Sequence, residues 1–163
     1  MRLFIAIRLS DALKNELIKA QESLYSQGIR GNYTPEENLH LTLAFIGEYP
    51  DPHAVLDALA NVAIKPFDIR LQGIGSFRDL WWAGLEESAP LTAVAGRVRR
   101  ALAENGIPFD KKKFKPHITL LRRGIGEVSA FQIESPYMTV KSISLMRSDR
   151  GKHGMIYTEV GTV

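Results

Sequence analysis

The 163-residue chain contains no cysteine. Disulfide bonds, thiolate zinc sites and a cysteine nucleophile are therefore excluded together. Long apolar runs are also lacking, because Arg8 and Asp11 interrupt the apolar N-terminal segment before it reaches the length of a signal-peptide core or a membrane span. We therefore expect a cytoplasmic protein with no membrane partner.

Neither sign of charge is in large excess. The 21 Lys and Arg residues exceed the 18 Asp and Glu residues by three, which suits a polyanionic partner without requiring one. Hydrophobic residues make up 45% of the chain and charged residues 24%, which is the balance of an ordinary globular protein. No linker rich in Pro, Gly and Ser divides the chain, so we expect one domain spanning residues 1–163.

Apolar spacing and turn residues predict the secondary structure. The Phe- and Ile-rich segment Arg2–Arg8 is typical of a buried strand, and Ser10 is an N-cap candidate for a helix that ends at Gly28. We predict further helices over residues 51–64 and 90–105. Further strands are predicted over residues 39–45, 67–77, 80–85, 117–121, 138–146 and 155–160, with a hairpin loop at residues 148–154.

One tetrapeptide pattern, His-apolar-Thr-apolar, occurs twice. It reads His40-Leu41-Thr42-Leu43 and, 77 positions later, His117-Ile118-Thr119-Leu120. Each copy follows a long amphipathic helix and a polar turn, which is the order that a duplicated helix-and-strand unit produces. We therefore predict an α+β, bilobal fold, in which two pseudo-symmetric lobes face a central groove with mostly antiparallel sheets and carry their helices on the outside.

Strand geometry gives this repeat a chemical meaning. Alternate side chains of a strand point to opposite faces, so the His and the Thr of each copy share one face while the apolar residues share the other. Two facing lobes would then line one cleft with His40, Thr42, His117 and Thr119. A neutral and a protonated imidazole can coexist near neutral pH, and such a pair suits in-line displacement at phosphorus. The threonine hydroxyls can stabilise the phosphate oxygens.

The histidines have two other possible roles, structural residue and metal ligand. A single His-x-Thr is common by chance, and a strand histidine is more often structural than catalytic; the matched second copy reverses that balance. Zinc needs three or four ligands, and neither motif has a third ligand at the usual spacing. We therefore expect no metal and no cofactor.

The flanks of the two motifs carry a family likeness. They comprise residues 35–48 around the first motif, residues 115–122 around the second, the opening strand at residues 2–7, and the late segments 145–148 and 154–157. Together they resemble the two-histidine (2H) phosphoesterase superfamily, and within it the RNA 2′,3′-cyclic phosphodiesterases, also called 2′-5′ RNA ligases. The resemblance covers essentially the whole chain.

The resemblance implies an activity. It implies metal-independent hydrolysis of a terminal 2′,3′-cyclic phosphate on RNA to a 2′-phosphomonoester, with reversible 2′-5′ ligation. It also implies that His40 donates a proton to the leaving O3′ and that His117 accepts one from water. The residues alone leave open which ring is acid and which is base.

Further candidate contacts lie near the second motif. Arg122 matches a basic position of the family, but strict alternation points Arg123 into the groove unless the strand bulges after Leu121. One of the two arginines is expected to contact phosphate or to stack on a base. The basic segment at residues 111–115, with Phe114 within it, either steers the phosphate chain and stacks a nucleobase or is a solvated loop.

The expected partner is an RNA with a 2′,3′-cyclic phosphate end or a small cyclic nucleotide. A 2′-5′-specific oligonucleotide phosphodiesterase would share the chemistry and differ in the scissile bond. A non-catalytic RNA- or nucleotide-binding module would use the same groove without turnover. A monomer is expected, because no segment has the pattern of an oligomerisation stripe.

Overall fold

The fold is seen in a computed structural model, which describes residues 1–127 and 133–163. The described residues form three α-helices, nine strands and one short 3₁₀ helix. In chain order these are β1 (Arg2–Arg8), α1 (Asp11–Ser26), β2 (Arg30–Tyr33), the 3₁₀ helix (Glu36–Asn38), β3 (His40–Glu48), α2 (Pro52–Leu59), β4 (Phe67–Phe77), β5 (Leu80–Leu85), α3 (Ala89–Glu104), β6 (Ile118–Ile125), β7 (Tyr137–Val140), β8 (Ser144–Gly151) and β9 (Gly154–Thr162).

The strands form two antiparallel sheets. The first has the order β3-β1-β8-β9 and the second the order β2-β6-β5-β4-β7. Each half of the chain contributes to both sheets, because β2 lies in the second sheet and the late hairpin β8–β9 lies in the first. The predicted α+β, bilobal architecture with antiparallel sheets is therefore confirmed, with its two lobes interleaved along the chain.

The helices begin at side-chain caps and bury one apolar stripe each. The Oγ atoms of Ser10 and Ser88 accept hydrogen bonds from the first turns of α1 and α3, and an Asp51 carboxylate oxygen does the same for α2. The buried stripes and the inner faces of both sheets form one continuous apolar cluster. In residues 1–127 and 133–163, no helix is long and apolar enough to cross a bilayer.

Several element predictions were wrong in extent, and the strand predicted over residues 117–121 is β6, which continues to Ile125. The helix predicted over residues 51–64 ends at Leu59, since Asn61 favours a turn and Pro66 prevents Lys65 from continuing a helix. The predicted strand 138–146 is two strands, β7 and β8, which belong to different sheets. The predicted loop 148–154 is mostly strand, and only Lys152 and His153 form the turn.

Candidate active site

The first His-x-Thr motif lies on β3, and the second lies at the start of β6 with His117 directly before it; both present their two faces as alternation requires. Leu41 and Leu43 of β3 are fully buried in the core, as are Ile118 and Leu120 of β6. The histidine and threonine of each copy lie on the opposite face and are partly exposed. The apolar positions thus anchor each motif, and the polar positions are free to meet a substrate.

The two polar faces meet in one groove of about 770 Å³. His40 and Thr42 line it from the first sheet, and Thr119 and the neighbouring His117 line it from the second. Its other lining residues include Phe4, Asn38, Phe45, Leu80, Arg99, Lys112, Lys113, Phe114, Lys115, Arg122, Met155 and Tyr157. A pocket of this size can hold a nucleotide, and its charged lining is predominantly cationic.

Each histidine is oriented by a hydrogen bond to the carbonyl oxygen two residues before it. The Nδ1 atom of His40 lies 2.6 Å from the Asn38 oxygen, and that of His117 lies 2.7 Å from the Lys115 oxygen. A carbonyl oxygen only accepts, so each Nδ1 carries the proton that is donated. In the neutral rings, Nε2 therefore holds the lone pair that is available for proton transfer.

Aromatic rings enclose His40. The ring centroids of Phe4 and Tyr157 lie 5.0 Å and 5.2 Å from that of the imidazole. The Nε2 atom of His40 lies 2.8 Å from Oγ1 of Thr42, whose hydroxyl donates to the neutral ring. The side-chain amide nitrogen of buried Asn38 donates to the Met155 carbonyl oxygen at 2.9 Å. This hydrogen bond links the segment before β3 to β9.

Burial lowers the pKa of His40 below its ordinary value of 6.5. The positive charges of Arg122 and His117 lower the pKa further, while the bond to the Asn38 oxygen opposes the shift. The ring is therefore neutral in the ligand-free groove at neutral pH.

A β-bulge in β6 decides which arginine enters the groove. Trp82 of β5 pairs with Thr119 and Trp81 pairs with Leu121, so Leu120 is an extra residue. Leu120 and Leu121 are consequently both buried, and the alternation reverses after them. Arg122 therefore lines the groove.

The expectation from strict alternation, that Arg123 points into the groove, is corrected by this bulge. Arg123 is exposed and is not among the groove-lining residues. The sequence allows one exception to strict alternation, a bulge after Leu121. The bulge in the structure is close to this, with the extra residue one position earlier.

Gln21 of α1 stabilises the bulge, and sequence reasoning missed it. It is buried, and its amide nitrogen donates to the carbonyl oxygens of Leu120 and Thr34, each at 2.9 Å. The Leu120 carbonyl oxygen also accepts from the Thr34 amide at 2.9 Å, so Gln21 adds a second hydrogen bond to the bulged residue and links it to the Thr34 carbonyl. The available signal was a polar residue in the buried stripe of α1, four positions after Leu17 and three before Leu24.

The basic segment before the second motif is held in place by Arg99 of α3. The Arg99 guanidinium donates to the Lys112 carbonyl oxygen at 2.6 Å and to the Leu43 carbonyl oxygen at 3.3 Å. It also lies 5.8 Å from the centre of the Phe114 ring, which lines the groove as a partly buried platform. Arg99 therefore anchors the backbone of this segment beside the groove, while the side chains of its lysines are exposed.

The polar groups that line the groove are mostly cationic or neutral, with Asp110 as a carboxylate among them. In the parts of the chain that the structure describes, no three His, Asp or Glu side chains are grouped so that they could bind a metal ion. Two imidazoles with defined tautomers, one guanidinium and two hydroxyls instead provide proton transfer and anion stabilisation. The arrangement is suited to acid–base chemistry on an anionic substrate.

Known proteins share this sequence pattern and fold. The family model described as the 2′-5′ RNA ligase superfamily matches residues 9–152. A curated protein of Thermus thermophilus, RNA 2′,3′-cyclic phosphodiesterase, is 34% identical, with 97% of this chain and 87% of the relative covered. A protein of the same name from Geobacillus stearothermophilus is 33% identical over 81% of this chain, and the chain spans only 45% of that relative.

The fold similarity extends over nearly the whole chain. The crystal structure of LigT from E. coli in its apo form superposes with a TM-score of 0.86 at 25% identity, covering 99% of this chain and 95% of LigT. A complex of LigT with 3′-AMP superposes with a TM-score of 0.85, also at 25% identity, covering 99% of this chain and 95% of LigT.

The lowered pKa of His40 predicts how stability depends on pH. The unfolded chain takes up the His40 proton at a higher pH than the folded chain, so the free energy of unfolding falls as the pH drops below 6.5. We expect His40→Asn to flatten this dependence between about pH 5 and 6.5, measured by urea unfolding at a series of pH values. His53→Asn, on the exposed end of α2, is the control and should retain the wild-type slope. An unchanged slope in His40→Asn would contradict the assignment.

Between about pH 5 and 6.5, the Glu159 carboxyl group, whose pKa is also lowered, does not contribute to the pH dependence of stability. Hydrogen bonds from Ser144 and Thr162 lower the pKa of Glu159 from its ordinary value of 4.5. Its contribution to stability is complete above that value and is lost only at lower pH.

Replacement of Gln21 should impair the groove from a distance. We expect Gln21→Met to remove two hydrogen bonds, to destabilise the fold by about 1–3 kcal/mol, and to displace Arg122 by weakening the bulge. Catalytic efficiency should then fall, and the pKa of His40, followed by NMR, should rise as the positive charge moves away. Leu17→Ala, at a buried position of the same helix, should destabilise the fold without changing that pKa. Equal effects of both variants on His40 would refute the role given to Gln21.

Proposed function

The chain belongs to the 2′-5′ RNA ligase superfamily, and we propose that it is an RNA 2′,3′-cyclic phosphodiesterase that hydrolyses the terminal cyclic phosphate to a 2′-phosphomonoester. One observation carries the proposal. Two histidines from different sheets have the same tautomer-fixing hydrogen bond and line the same groove as Arg122. Relatives named for this activity share about a third of the sequence.

Hydrolysis proceeds by in-line displacement at phosphorus. His117 accepts a proton at Nε2 from the attacking water, whose oxygen forms a new bond to phosphorus while the bond from phosphorus to O3′ breaks. His40 donates the proton that O3′ takes up, and the phosphate remains on O2′. Exchange with solvent then returns both rings to their starting states. Ligation is the same displacement with the 5′-hydroxyl of a second RNA in place of water: its oxygen bonds to phosphorus, the bond from phosphorus to O3′ breaks, His117 takes the hydroxyl proton and His40 protonates O3′, which gives a 2′-5′ linkage.

Substrate binding prepares His40 to act as the acid. Its lowered pKa keeps it neutral in the empty groove. The negative charge of a bound cyclic phosphate offsets the positive charge of Arg122 and favours protonation of His40. Once Nε2 carries a proton, the Thr42 hydroxyl no longer donates to it and becomes available to the phosphate oxygens. Binding and proton loading are thereby coupled.

The remaining contacts divide between phosphate and base. Arg122 and the two motif threonines, Thr42 and Thr119, stabilise the charge on the non-bridging oxygens. Phe114 offers an apolar surface against which a nucleobase can stack, and exposed Phe45 lines the groove on the side of β3. LigT, with a similar fold, has been crystallised with 3′-AMP, which supports a nucleotide in this position.

The proposal also covers the domain organisation, the use of metals or cofactors, the oligomeric state and the cellular location. Residues 1–163 act as one domain, an inference supported by the continuous apolar core shared by both sheets. Catalysis uses no metal ion and no cofactor, because side chains supply proton transfer and charge stabilisation. The protein acts as a monomer, and the lack of cysteine fits a reducing cytoplasm.

Removal of either histidine should abolish most of the activity. We expect His40→Ala and His117→Ala each to lower kcat by ~100-fold or more on an RNA with a 2′,3′-cyclic phosphate end, because each loses a proton-transfer group. His53→Ala is the matched control and should retain wild-type kcat. EDTA should leave the wild-type rate unchanged. The measurement is product formation, with 2′- and 3′-phosphomonoesters separated.

The same assay separates the alternatives. A 3′-phosphomonoester product would overturn the assignment of O3′ as leaving group. Cleavage of a 2′-5′-linked oligonucleotide without turnover of the cyclic phosphate would identify a 2′-5′-specific phosphodiesterase. Binding of RNA without turnover of either substrate would identify a non-catalytic module.

A further inference from the structure

Two arginines next to the groove have an unusual backbone conformation. Arg78 has φ = 58° and Arg123 has φ = 53°, and among the described residues no other non-glycine residue has a positive φ. Side chains are disfavoured in this left-handed region, and arginine has no local hydrogen bond that would favour it there. The structure tolerates this cost twice, both times at an exposed arginine.

Glycine is the residue that both positions would favour. Phe77 pairs with Leu80, so Arg78 is the first residue of a two-residue hairpin loop, where a positive φ calls for glycine. Arg123 lies in a second bulge of β6, since Arg122 pairs with Asn32 whereas Ile125 pairs with Arg30. Left-handed residues in bulges are also usually glycine. A role for the two side chains would explain why arginine occurs at both.

The two turns are held together at the rim of the groove. The Gly124 amide donates to the Asp79 carbonyl oxygen at 2.8 Å, which joins the β4–β5 loop to the bulge of β6. Arg78 and Arg123 do not line the groove. Leu80, two residues after Arg78, and Arg122, directly before Arg123, both do. The arginine pair is therefore outside the groove but directly beside it.

The pair has the chemistry of a single-stranded nucleic acid site. The Phe77 side chain is 64% exposed, and the Arg78 guanidinium lies 5.4 Å from the centre of its ring. Within the described ranges, neither arginine forms an ion pair with a carboxylate. Guanidinium groups bind phosphate, and an exposed aromatic ring stacks on a base regardless of sequence.

We propose that Arg78 and Arg123, with Phe77, form a second RNA-contacting site that binds the phosphate backbone of nucleotides preceding the cyclic phosphate end. This inference rests on the proposed function, because it takes RNA as the substrate. A cyclic mononucleotide fills the groove without reaching the site, whereas a longer RNA occupies both. The site therefore distinguishes RNA ends from small cyclic nucleotides.

The test is a double substitution to glycine, Arg78→Gly with Arg123→Gly. Glycine suits both backbone conformations, so Tm should be unchanged or higher while RNA binding weakens. For an oligonucleotide of about ten nucleotides with a cyclic phosphate end, KM should rise roughly tenfold with kcat unchanged. The salt dependence of KM should become shallower by about 0.7 in log–log slope for each lost phosphate contact. Hydrolysis of a 2′,3′-cyclic mononucleotide should be unchanged.

Two further variants sharpen the comparison. Lys19→Ala with Arg100→Ala removes the same charge from exposed helix positions and should leave KM for the oligonucleotide near the wild-type value. Asp79→Asn removes the carboxylate of the hairpin loop and should lower that KM, because a phosphate repelled by Asp79 binds more tightly without it.

Equal losses on the oligonucleotide and the mononucleotide, or no change on either, would overturn the inference. Affinity for single-stranded RNA, measured by fluorescence anisotropy, tests the site without any turnover. If wild-type protein binds RNA, loses affinity in the double glycine variant and yet hydrolyses no cyclic phosphate, then the proposed function fails and the RNA site stands.

Discussion

The groove depends on one hydrogen bond made twice, from Nδ1 of a motif histidine to the carbonyl oxygen two residues before it. This bond places the single N–H proton of each neutral ring on Nδ1 and leaves the lone pair on Nε2 for proton transfer. The two carbonyl groups belong to segments held by different elements. Asn38 is tied to β9, and the segment before His117 is held by Arg99 of α3. The orientation of both imidazole rings therefore depends on how distant parts of the chain pack together.

Positive charge in the groove acts on both substrate and enzyme. Burial and the positive charge of Arg122 lower the pKa of His40, and in the proposed mechanism a bound phosphate anion offsets that charge. The protonation state needed for an acid is then a consequence of binding. Burial between Phe4 and Tyr157 strengthens this coupling, because charge interactions weaken less with distance in a poorly solvated site.

The second sheet shows how a polar contact in the core determines a position in the groove. The Leu120 carbonyl and Gln21 are separated by 99 positions in the chain, yet their hydrogen bond supports the bulge that turns Arg122 inward. A second bulge directly after it turns Arg123 outward to the rim, beside Arg78. Consecutive arginines thereby lie in two locations, Arg122 in the groove and Arg123 at the rim where the second RNA site is proposed.

The amino-acid sequence determined which residues face the groove in the regular strands. Side-chain alternation is a local property, so the repeated His-x-Thr pattern was enough to place His40, Thr42 and Thr119 opposite the buried leucines and isoleucine. It did not determine the groove-facing arginine, nor that residues 138–146 divide between two sheets. A bulge reverses alternation, and its stability depends on contacts with other elements, here the hydrogen bonds from the Thr34 amide and the Gln21 side chain to the Leu120 carbonyl oxygen. An alternating apolar pattern is the same for a strand of either sheet. Only the tertiary pairing of the strands therefore decided that residues 138–146 divide between the two sheets.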